Sequence, residues 1–369
     1  MKIKNHLLII LFFVLIIFFV GILFVVYNQS KNILNINQIK EKISENKDNF
    51  KPFLNPSALN WEEISSSSPW EGRDSEAVVV YKNKIWLMGG VNGSTRLISP
   101  GNVDYGNAPH FNDVWSSEDG VNWKLVLNKA PWGERRSMQI VDFKGKMFLM
   151  GGWGPELGTK NDVWSSEDGV SWKKETDHAQ WEAREGHQVV VHKNKIWLTG
   201  GVRYSDHKLF NDVWSSEDGV SWKKETDIAS WSPRWDHSIA GFNNKLWIVG
   251  GMDFDDLYND VWSSEDGVSW ILVNKNPPFL SRQGFLLMDY KNKLWILGRL
   301  NTSQYGNGPN DVWYSEDGIN WVKTIEDPKW TGREDFGAVI FKDKIWIIGG
   351  MDKDWKWKND VWRSVSPDN

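Results

Sequence analysis

The segment NDVWSSEDGVNW, at positions 112–123, recurs along the chain with very little change. Three copies read NDVWSSEDGVSW, a fifth reads NDVWYSEDGINW, and a sixth stops after NDVWRSV. Their first Asn residues fall at 112, 161, 211, 259, 310 and 359, so the repeat length stays close to 50 residues. A period of this size indicates structural units that bury their apolar faces against neighbouring copies.

One repeat contains the signals for four β-strands. The segment GHQVVVHKNKIWLTGG, at 186–201, has two β-rich runs on either side of HKNK, and it ends in a Gly pair. A loop of variable length follows, then NDVWSS as a third strand, an EDG turn, and VSWKKET as a fourth strand. Asn-Lys and Asp-Gly turns are typical of hairpins because Asn, Asp and Gly adopt positive φ easily.

The number of strands predicts how the ring closes. Five repeats carry a Trp in the fourth strand, and the sixth ends before that position. One unassigned fourth-strand fragment, LNWEEI with Trp61, precedes the first repeat. We expect this fragment to complete the last blade, which leaves no open edge at the seam. The sequence therefore predicts an all-β fold, a six-bladed β-propeller at 60–369.

This pattern resembles the kelch family, whose superfamily includes the central domain of galactose oxidase. The resemblance covers about 310 residues and rests on the Gly pair after the second strand, the aromatic residue in the third strand and the Trp in the fourth. The chain departs from the family in having Trp where kelch repeats usually have Tyr, and repeat five has Gly298-Arg299 in place of a Gly pair. The SEDGVNW turn also resembles a shortened Asp-box of sialidase-like propellers. Neither resemblance determines a function.

The N-terminal part predicts a membrane anchor. Residues 7–27 contain no charge, and a helix rising about 1.5 Å per residue would let them cross a hydrocarbon core of roughly 30 Å. No small-residue cleavage site follows, so we interpret 1–27 as a cytoplasmic tip with an uncleaved single-pass anchor. Lys2 and Lys4 favour an extracytoplasmic propeller, in a bacterial periplasm or at a cell surface. The polar residues 28–59 are predicted to form a stalk.

Composition excludes several classes of function. The chain has no Cys, so disulfides, thiolate metal sites and Cys nucleophiles are absent. A net charge of −5 argues against a nucleic-acid-binding protein. The acidic loop at 252–260 lacks the spacing of a calcium-binding loop, and no cofactor or catalytic signature occurs. We therefore predict no metal, no cofactor and no nucleic-acid partner.

Tryptophan is unusually abundant, with 26 residues. All but four occupy positions that recur from repeat to repeat, as expected of packing between blades. The exceptions are Trp153, Trp235, Trp355 and Trp357. Strand order puts all four on the face that carries the loops after the Gly pairs, which we call the loop face. We predict that these residues bind a ligand there.

Each repeat also places an Arg at the start of its first strand. The six residues are Arg73, Arg135, Arg184, Arg234, Arg282 and Arg333. A ring of Arg at the channel mouth could bind a carboxylate or sulfate. The alternative is structural, since each repeat also has an Asp in NDVW at the same end of the blade.

The third residue after each Arg varies between repeats. Glu76, His187 and His237 occupy this position in three of them, where the side chain is expected in or near the channel. They are candidate catalytic acid, base or ligand groups, and the alternative is an ordinary channel lining.

Two functions remain open. The first is a membrane-tethered module that binds a protein or a glycan on the loop face. The second, implied by the kelch resemblance, is a carbohydrate-active enzyme similar to a sialic-acid mutarotase or a lyase, using His, Glu and Arg at the channel mouth. Galactose oxidase chemistry is excluded because its copper site requires a Cys.

Overall fold

The computed structural model describes residues 59–299, 310–324 and 328–365. The predicted anchor and stalk, at 1–27 and 28–59, lie outside these ranges except for Leu59. The chain separates into two compact units, Met1–Pro56 and Ser57–Asn369. In the described ranges, no helix is both long and apolar enough to cross a membrane.

Six four-stranded antiparallel sheets form the second unit, and each is one blade. Blade 1 contains Ala77–Tyr81, Lys84–Met88, Val114–Ser117 and Trp123–Leu127. Blade 2 contains Gln139–Phe143, Lys146–Met150, Val163–Ser166 and Lys173–Thr176. Blade 3 contains Gln188–His192, Lys195–Thr199, Val213–Ser216 and Trp222–Thr226. Blade 4 contains Ser238–Phe242, Lys245–Val249, Val261–Ser264 and Ile271–Asn274. Blade 5 contains Leu286–Tyr290, Lys293–Leu297, Val312–Ser315 and Val322–Lys323. Blade 6 contains Gly337–Phe341, Lys344–Ile348, Val361–Val365 and Asn60–Ser65.

Smaller elements lie outside the blades. Two-stranded pairs join Leu97–Ser99 to Asn102–Val103, Trp153–Gly154 to Gly158–Thr159, Val202–Arg203 to Lys208–Leu209, and Arg333–Glu334 to Met351–Asp352. The described 3-10 helices are Ser94–Arg96, Tyr105–Asn107 and Tyr204–Asp206. The predicted six-bladed propeller is confirmed.

The last blade closes the ring as the sequence predicts. Asn60–Ser65 forms its outer strand and pairs antiparallel with Val361–Val365, with Trp61 opposite Ser364. The Trp61 side chain is buried and packs edge-on against Trp330, with ring centroids 5.7 Å apart. An N-terminal strand therefore supplies the fourth strand that the sixth repeat lacks.

The recurring EDG turn is held by side-chain hydrogen bonds. In blade 1 the Ser117 hydroxyl accepts a bond from the Gly120 amide at 2.8 Å, and Asp119 Oδ1 accepts bonds from the next two amides. These bonds favour the charged carboxylate and lower the pKa of Asp119 to about 2. Gly120 has φ +76°, and a Cβ there would lie 2.1 Å from the Trp346 ring of the neighbouring blade. The turn thus needs Gly because it covers an indole of the adjacent blade.

Aromatic pairs fill the core at recurring positions. The fourth-strand Trp of a blade meets the Trp at its start edge-on, as in Trp123 with Trp70 at 6.0 Å and Trp222 with Trp181 at 6.1 Å. Blade 5 uses Phe279 against Trp321 at 5.2 Å. Such pairs are worth about 0.5–1.5 kcal/mol beyond the area they bury. The abundance of Trp is therefore mainly structural.

Candidate functional site

The six Arg side chains that start the inner strands are almost fully buried and paired. Each guanidinium lies 2.5–3.0 Å from the Asp of the NDVW segment in its own repeat. Arg184, for example, bonds both oxygens of Asp212 and donates to the Gly200 carbonyl at 2.9 Å. The indole of Trp214 donates to the same Asp at 2.8 Å. The predicted Arg–Asp pairs are confirmed, and they tie the first strand, the Gly pair and the third strand together.

Aromatic side chains cover several of these guanidinium groups. Arg184 lies over Phe210 at 3.8 Å, and Arg234 lies over Tyr258 at 4.1 Å. Stacking of this kind adds a cation–π attraction to the ion pair. The Asp pairing leaves these six Arg little free hydrogen-bonding capacity for a ligand; of their nitrogens, Arg135 Nε and Arg282 Nη2 lack a partner among the described residues.

The third residue after each Arg lies between blades. The imidazole of His187 packs on Trp181 and lies under Gly151 of the preceding blade, where a Cβ would come within 2.6 Å of it. His237 occupies the equivalent place against Trp231, and its Nε2 is 2.9 Å from the Thr199 hydroxyl. Neither ring nitrogen of His187 has a hydrogen-bond partner among the described residues.

Burial sets the charge of these three candidate catalytic residues. It lowers the pKa of His187 to about 3 and that of His237 well below its ordinary value, with nearby Arg adding to the effect. Burial also raises the pKa of Glu76, whose Oε1 accepts a bond from the Gly337 amide of blade 6 at 3.1 Å. No hydrogen bond within the described ranges joins the three side chains. Glu76 and His237 border a cavity in the channel and His187 does not, and the three side chains occupy separate inter-blade positions, as packing residues do.

The four non-repeating Trp residues all lie on the loop face. Trp153 and Trp355 are half-buried, whereas Trp235 and Trp357 are buried. Trp153 lies beside the His110 ring at 5.3 Å. The indole of Trp357 donates a hydrogen bond to Asp74 Oδ2 at 2.9 Å. The structure thus divides them into two accessible rings and two supporting ones.

Except for Trp235, the sequence reasoning missed the two residues directly after each Arg, which form a double ring around the channel that we call the rim. The upper positions are Asp74, Arg136, Glu185, Trp235, Gln283 and Glu334, and the lower positions are Ser75, Ser137, Gly186, Asp236, Gly284 and Asp335. Every lower residue has a positive φ, between 49° and 62°. All six are Ser, Gly or Asp, residues common where the backbone is left-handed or turning, and this pattern could have revealed the rim.

Backbone hydrogen bonds connect the lower rim from blade to blade. The Ser75 amide donates to the Asp335 carbonyl at 2.7 Å, and the Ser137 amide donates to Ser75 at 2.9 Å. Asp236, Gly284 and Asp335 each donate to the preceding rim carbonyl at 2.7–3.0 Å. The side chains at this level are therefore held on a rigid ring that borders a cavity of about 120 Å³ in the channel.

Carboxyl groups outnumber basic groups at the rim. Its twelve positions hold five acidic side chains and one basic side chain. Arg136 is the basic group, and it pairs with Glu185 at 3.2 Å. Burial and the charge of Asp335 raise the pKa of Asp74 to about 8, and burial raises that of Asp335 to about 6. Burial together with neighbouring carboxylates also raises the pKa values of Asp236 and Glu334.

Aromatic side chains from the loops surround the same rim. The Tyr105 ring stacks on the guanidinium of Arg136 at 4.2 Å. Trp235 of the upper rim packs against Tyr204 at 5.7 Å and Phe254 at 5.1 Å. Tyr204 and Phe254 remain 42% and 43% exposed, so this cluster presents open aromatic surface beside the carboxyl groups.

The loop face provides no evident metal site. Across the residues that the structure describes, no three His, Asp or Glu side chains converge as metal ligands. In the acidic loop at 252–260, Asp253 accepts hydrogen bonds from the amides of Asp255 and Asp256, so its carboxylate stabilises a turn.

The fold and this site define a kelch-type propeller with an acidic, aromatic rim on its loop face. The chain belongs to the Kelch-repeat family, because the model of the KLHDC2/KLHL20/DRC7 Kelch-repeats domain matches residues 137–350. Among solved structures, the chain resembles the structure of YjhT with a TM-score of 0.62 and 17% identity, over 81% of this chain and 96% of that one. This likeness shows a shared fold. No curated protein matches the chain.

Proposed function

We propose that the chain is a membrane-tethered binding module that holds a protein or glycan ligand on the loop face of its propeller. The observation that carries the proposal is the rim. There, buried carboxyl groups, exposed aromatic rings and a rigid backbone ring meet at one channel mouth. The opposite face carries the short KNK and EDG turns, whose polar groups are largely bonded within the blades.

Binding is favoured over sugar chemistry because of where the candidate catalytic groups lie. His187 and His237 are fully buried between blades and uncharged at neutral pH, so a substrate in the channel does not meet a charged imidazole. The rim carboxyl groups remain the acid/base groups that an enzyme would use, since raised pKa values are a common feature of active sites. If the chain were an enzyme, its acid/base chemistry would therefore have to use the carboxyl groups of the rim.

A binding screen with matched variants tests this proposal. The full-length protein in detergent micelles would be applied to a glycan array and to a peptide array. Trp153→Ala and Trp355→Ala remove half-buried rings of the loop face, whereas Val268→Ala truncates an exposed side chain at an EDG turn. We expect both Trp changes to weaken binding and the Val change to leave it intact. Binding that survives both Trp changes would rule out the aromatic surface as the ligand site.

The membrane attachment belongs to the same proposal. Residues 7–27 would anchor the chain, 28–59 would form the stalk, and the propeller at 60–369 would lie outside the cytoplasm. Support comes from the uncharged length of the segment and the flanking Lys2 and Lys4. Protease added to intact spheroplasts should degrade the propeller, and alkaline extraction should leave the chain in the membrane fraction. If the propeller were protected from the added protease, the orientation would be the opposite one, with the propeller on the cytoplasmic side.

A further inference from the structure

We propose that the rim binds a primary ammonium group carried on a linear aliphatic chain, as found in polyamines and in lysine side chains. This inference rests on the proposed binding function and specifies the chemistry of the ligand. Three features of the rim carry it, namely its carboxyl groups without an ion-pair partner, an acceptor atom that lacks a donor, and the aromatic surface beside them.

The rim has more carboxyl groups than cations to pair with them. Arg136 forms its ion pair with Glu185, and no ion pair within the described ranges involves Asp74, Asp236, Glu334 or Asp335. Basic residues of the adjacent 202–209 loop have other partners, since Arg203 pairs with Asp206 at 2.7 Å and Lys208 pairs with Glu182 at 2.7 Å. The segment 300–309 contains no charged residue. Burial without a counter-cation raises the pKa values of these carboxyl groups, so a bound cation would favour their ionised form and pair with it.

Asp74 contains a hydrogen-bond acceptor without a donor. The residue is only 2% exposed, and its Oδ2 accepts the Trp357 indole bond, but its Oδ1 has no partner among the described residues. Its charge interacts with that of Asp335, whose side chain lies at the channel cavity. An unpaired buried oxygen is unfavourable, so a ligand that donates hydrogen bonds here gains more than one that only accepts them.

The aromatic surface distinguishes an ammonium from other donors. Trp235, Tyr204 and Phe254 form a cluster next to Asp236, and two of these rings are partly exposed. Carboxylate and aromatic faces together attract organic ammonium groups through ion pairing and cation–π contact, and the rings also cover aliphatic carbon. The cavity of about 120 Å³ is well above the roughly 10–15 Å³ that one water needs.

Titration calorimetry on the full-length protein in micelles tests the inference. The probes are cadaverine, 1,5-pentanediol and glutarate, which share a five-carbon chain and differ in charge. We expect cadaverine to bind and the diol and diacid to bind at least about tenfold more weakly, equivalent to one decade in Kd. Equal binding of cadaverine and the diol, or no binding of cadaverine, would overturn the inference.

Two variants locate the site. Asp236→Asn and Asp335→Asn each remove a rim carboxyl group that can pair with the ammonium and keep the shape, so each should weaken cadaverine binding about tenfold or more. Glu167→Gln removes a carboxyl group from an exposed turn on the opposite face and should leave binding unchanged. Thermal unfolding of each variant verifies that the fold is retained. Unchanged cadaverine binding in both folded Asp variants would refute the site.

A last comparison identifies the source of the ammonium group and separates the two proposals. Spermidine represents a free polyamine, and a short lysine peptide with its Nζ-acetylated form represents a protein partner. Preference for spermidine, or for the peptide over its acetylated form, supports the inference in either case. If array ligands bind through Trp153 while every amine fails, the binding function stands and the ammonium inference falls.

Discussion

Replacing His187 by Phe should make the propeller less sensitive to acid. Burial lowers the pKa of this imidazole to about 3 in the folded protein, whereas the unfolded chain has the ordinary value of 6.5. Between these values the unfolded state binds a proton that the folded state does not. Stability therefore falls as the pH falls from about 7 toward 3.

The size of the effect follows from the two pKa values. Each pH unit well below 6.5 and above 3 removes about 1.36 kcal/mol, so His187 should cost about 2 kcal/mol between pH 7 and pH 5. Phe is the natural replacement because Phe285 and Phe336 occupy the equivalent positions of blades 5 and 6 and are buried there. No hydrogen bond of the ring nitrogens is lost, since neither nitrogen has a described partner.

Urea unfolding of the full-length protein at pH 7 and pH 5 measures this quantity. The rim carboxyl groups contribute with the opposite sign, because their raised pKa values stabilise the fold as the pH falls. That contribution is common to both proteins and cancels in the difference between wild type and His187→Phe. His207→Asn, which changes an exposed imidazole, should follow the wild-type profile. If the free energy of unfolding changed by the same amount between pH 7 and pH 5 in wild type and in His187→Phe, the reasoning would be refuted.

Three further predictions concern the rim and the buried pairs. Asp74→Asn should gain stability over wild type as the pH rises from 4 to 8, by about 5 kcal/mol, because the pKa of about 8 makes ionisation of the native residue costly. Urea unfolding at several pH values should show that the free energies of unfolding of the two proteins converge at acidic pH. Arg184→Met should cost about 3–5 kcal/mol by leaving Asp212 buried and unpaired, and the double change with Asp212→Leu should recover part of it. A double variant no more stable than the single one would contradict this pairing. Gly200→Ala should be at least about 1 kcal/mol worse than Gly145→Ala, since both have positive φ but only Gly200 has atoms within 3 Å of the new Cβ. Equal melting temperatures would show that the space under Gly200 can adjust.

Most of the fold could be predicted from the sequence because the constraint is repeated. Every blade needs the same hairpins and the same Arg–Asp pair, and each of the five EDG turns places its Gly against an aromatic ring of the adjacent blade, so chance patterns average out over the repeats. The closing strand was predictable for the same reason, since Trp61 was the one fourth-strand signal without a repeat of its own. The anchor at 7–27 and the stalk at 28–59 stay predictions.

The candidate site was harder to predict because one backbone feature changes the geometry after each Arg. Side chains alternate between faces along a regular strand, but each lower rim residue has a positive φ that interrupts this alternation. His187 is consequently turned between blades, while Asp236 faces the mouth. The number of residues that separate each side chain from the Arg could not show this difference in orientation. The upper rim residues also differ from blade to blade, so repetition did not mark them as a set, and only the lower rim shows a recurring choice of Ser, Gly or Asp.

The pairing of Asn60–Ser65 with Val361–Val365 has a consequence for biosynthesis. The first strand leaves the ribosome about 300 residues before its partner, and joining ends so far apart costs roughly 5 kcal/mol of chain entropy. Until then Trp61 has no blade to enter, and blade 6 presents an open edge. Completion of the ring must therefore be a late folding step, and a truncated chain lacking 361–365 should accumulate as an incomplete propeller exposed to chaperones and proteases.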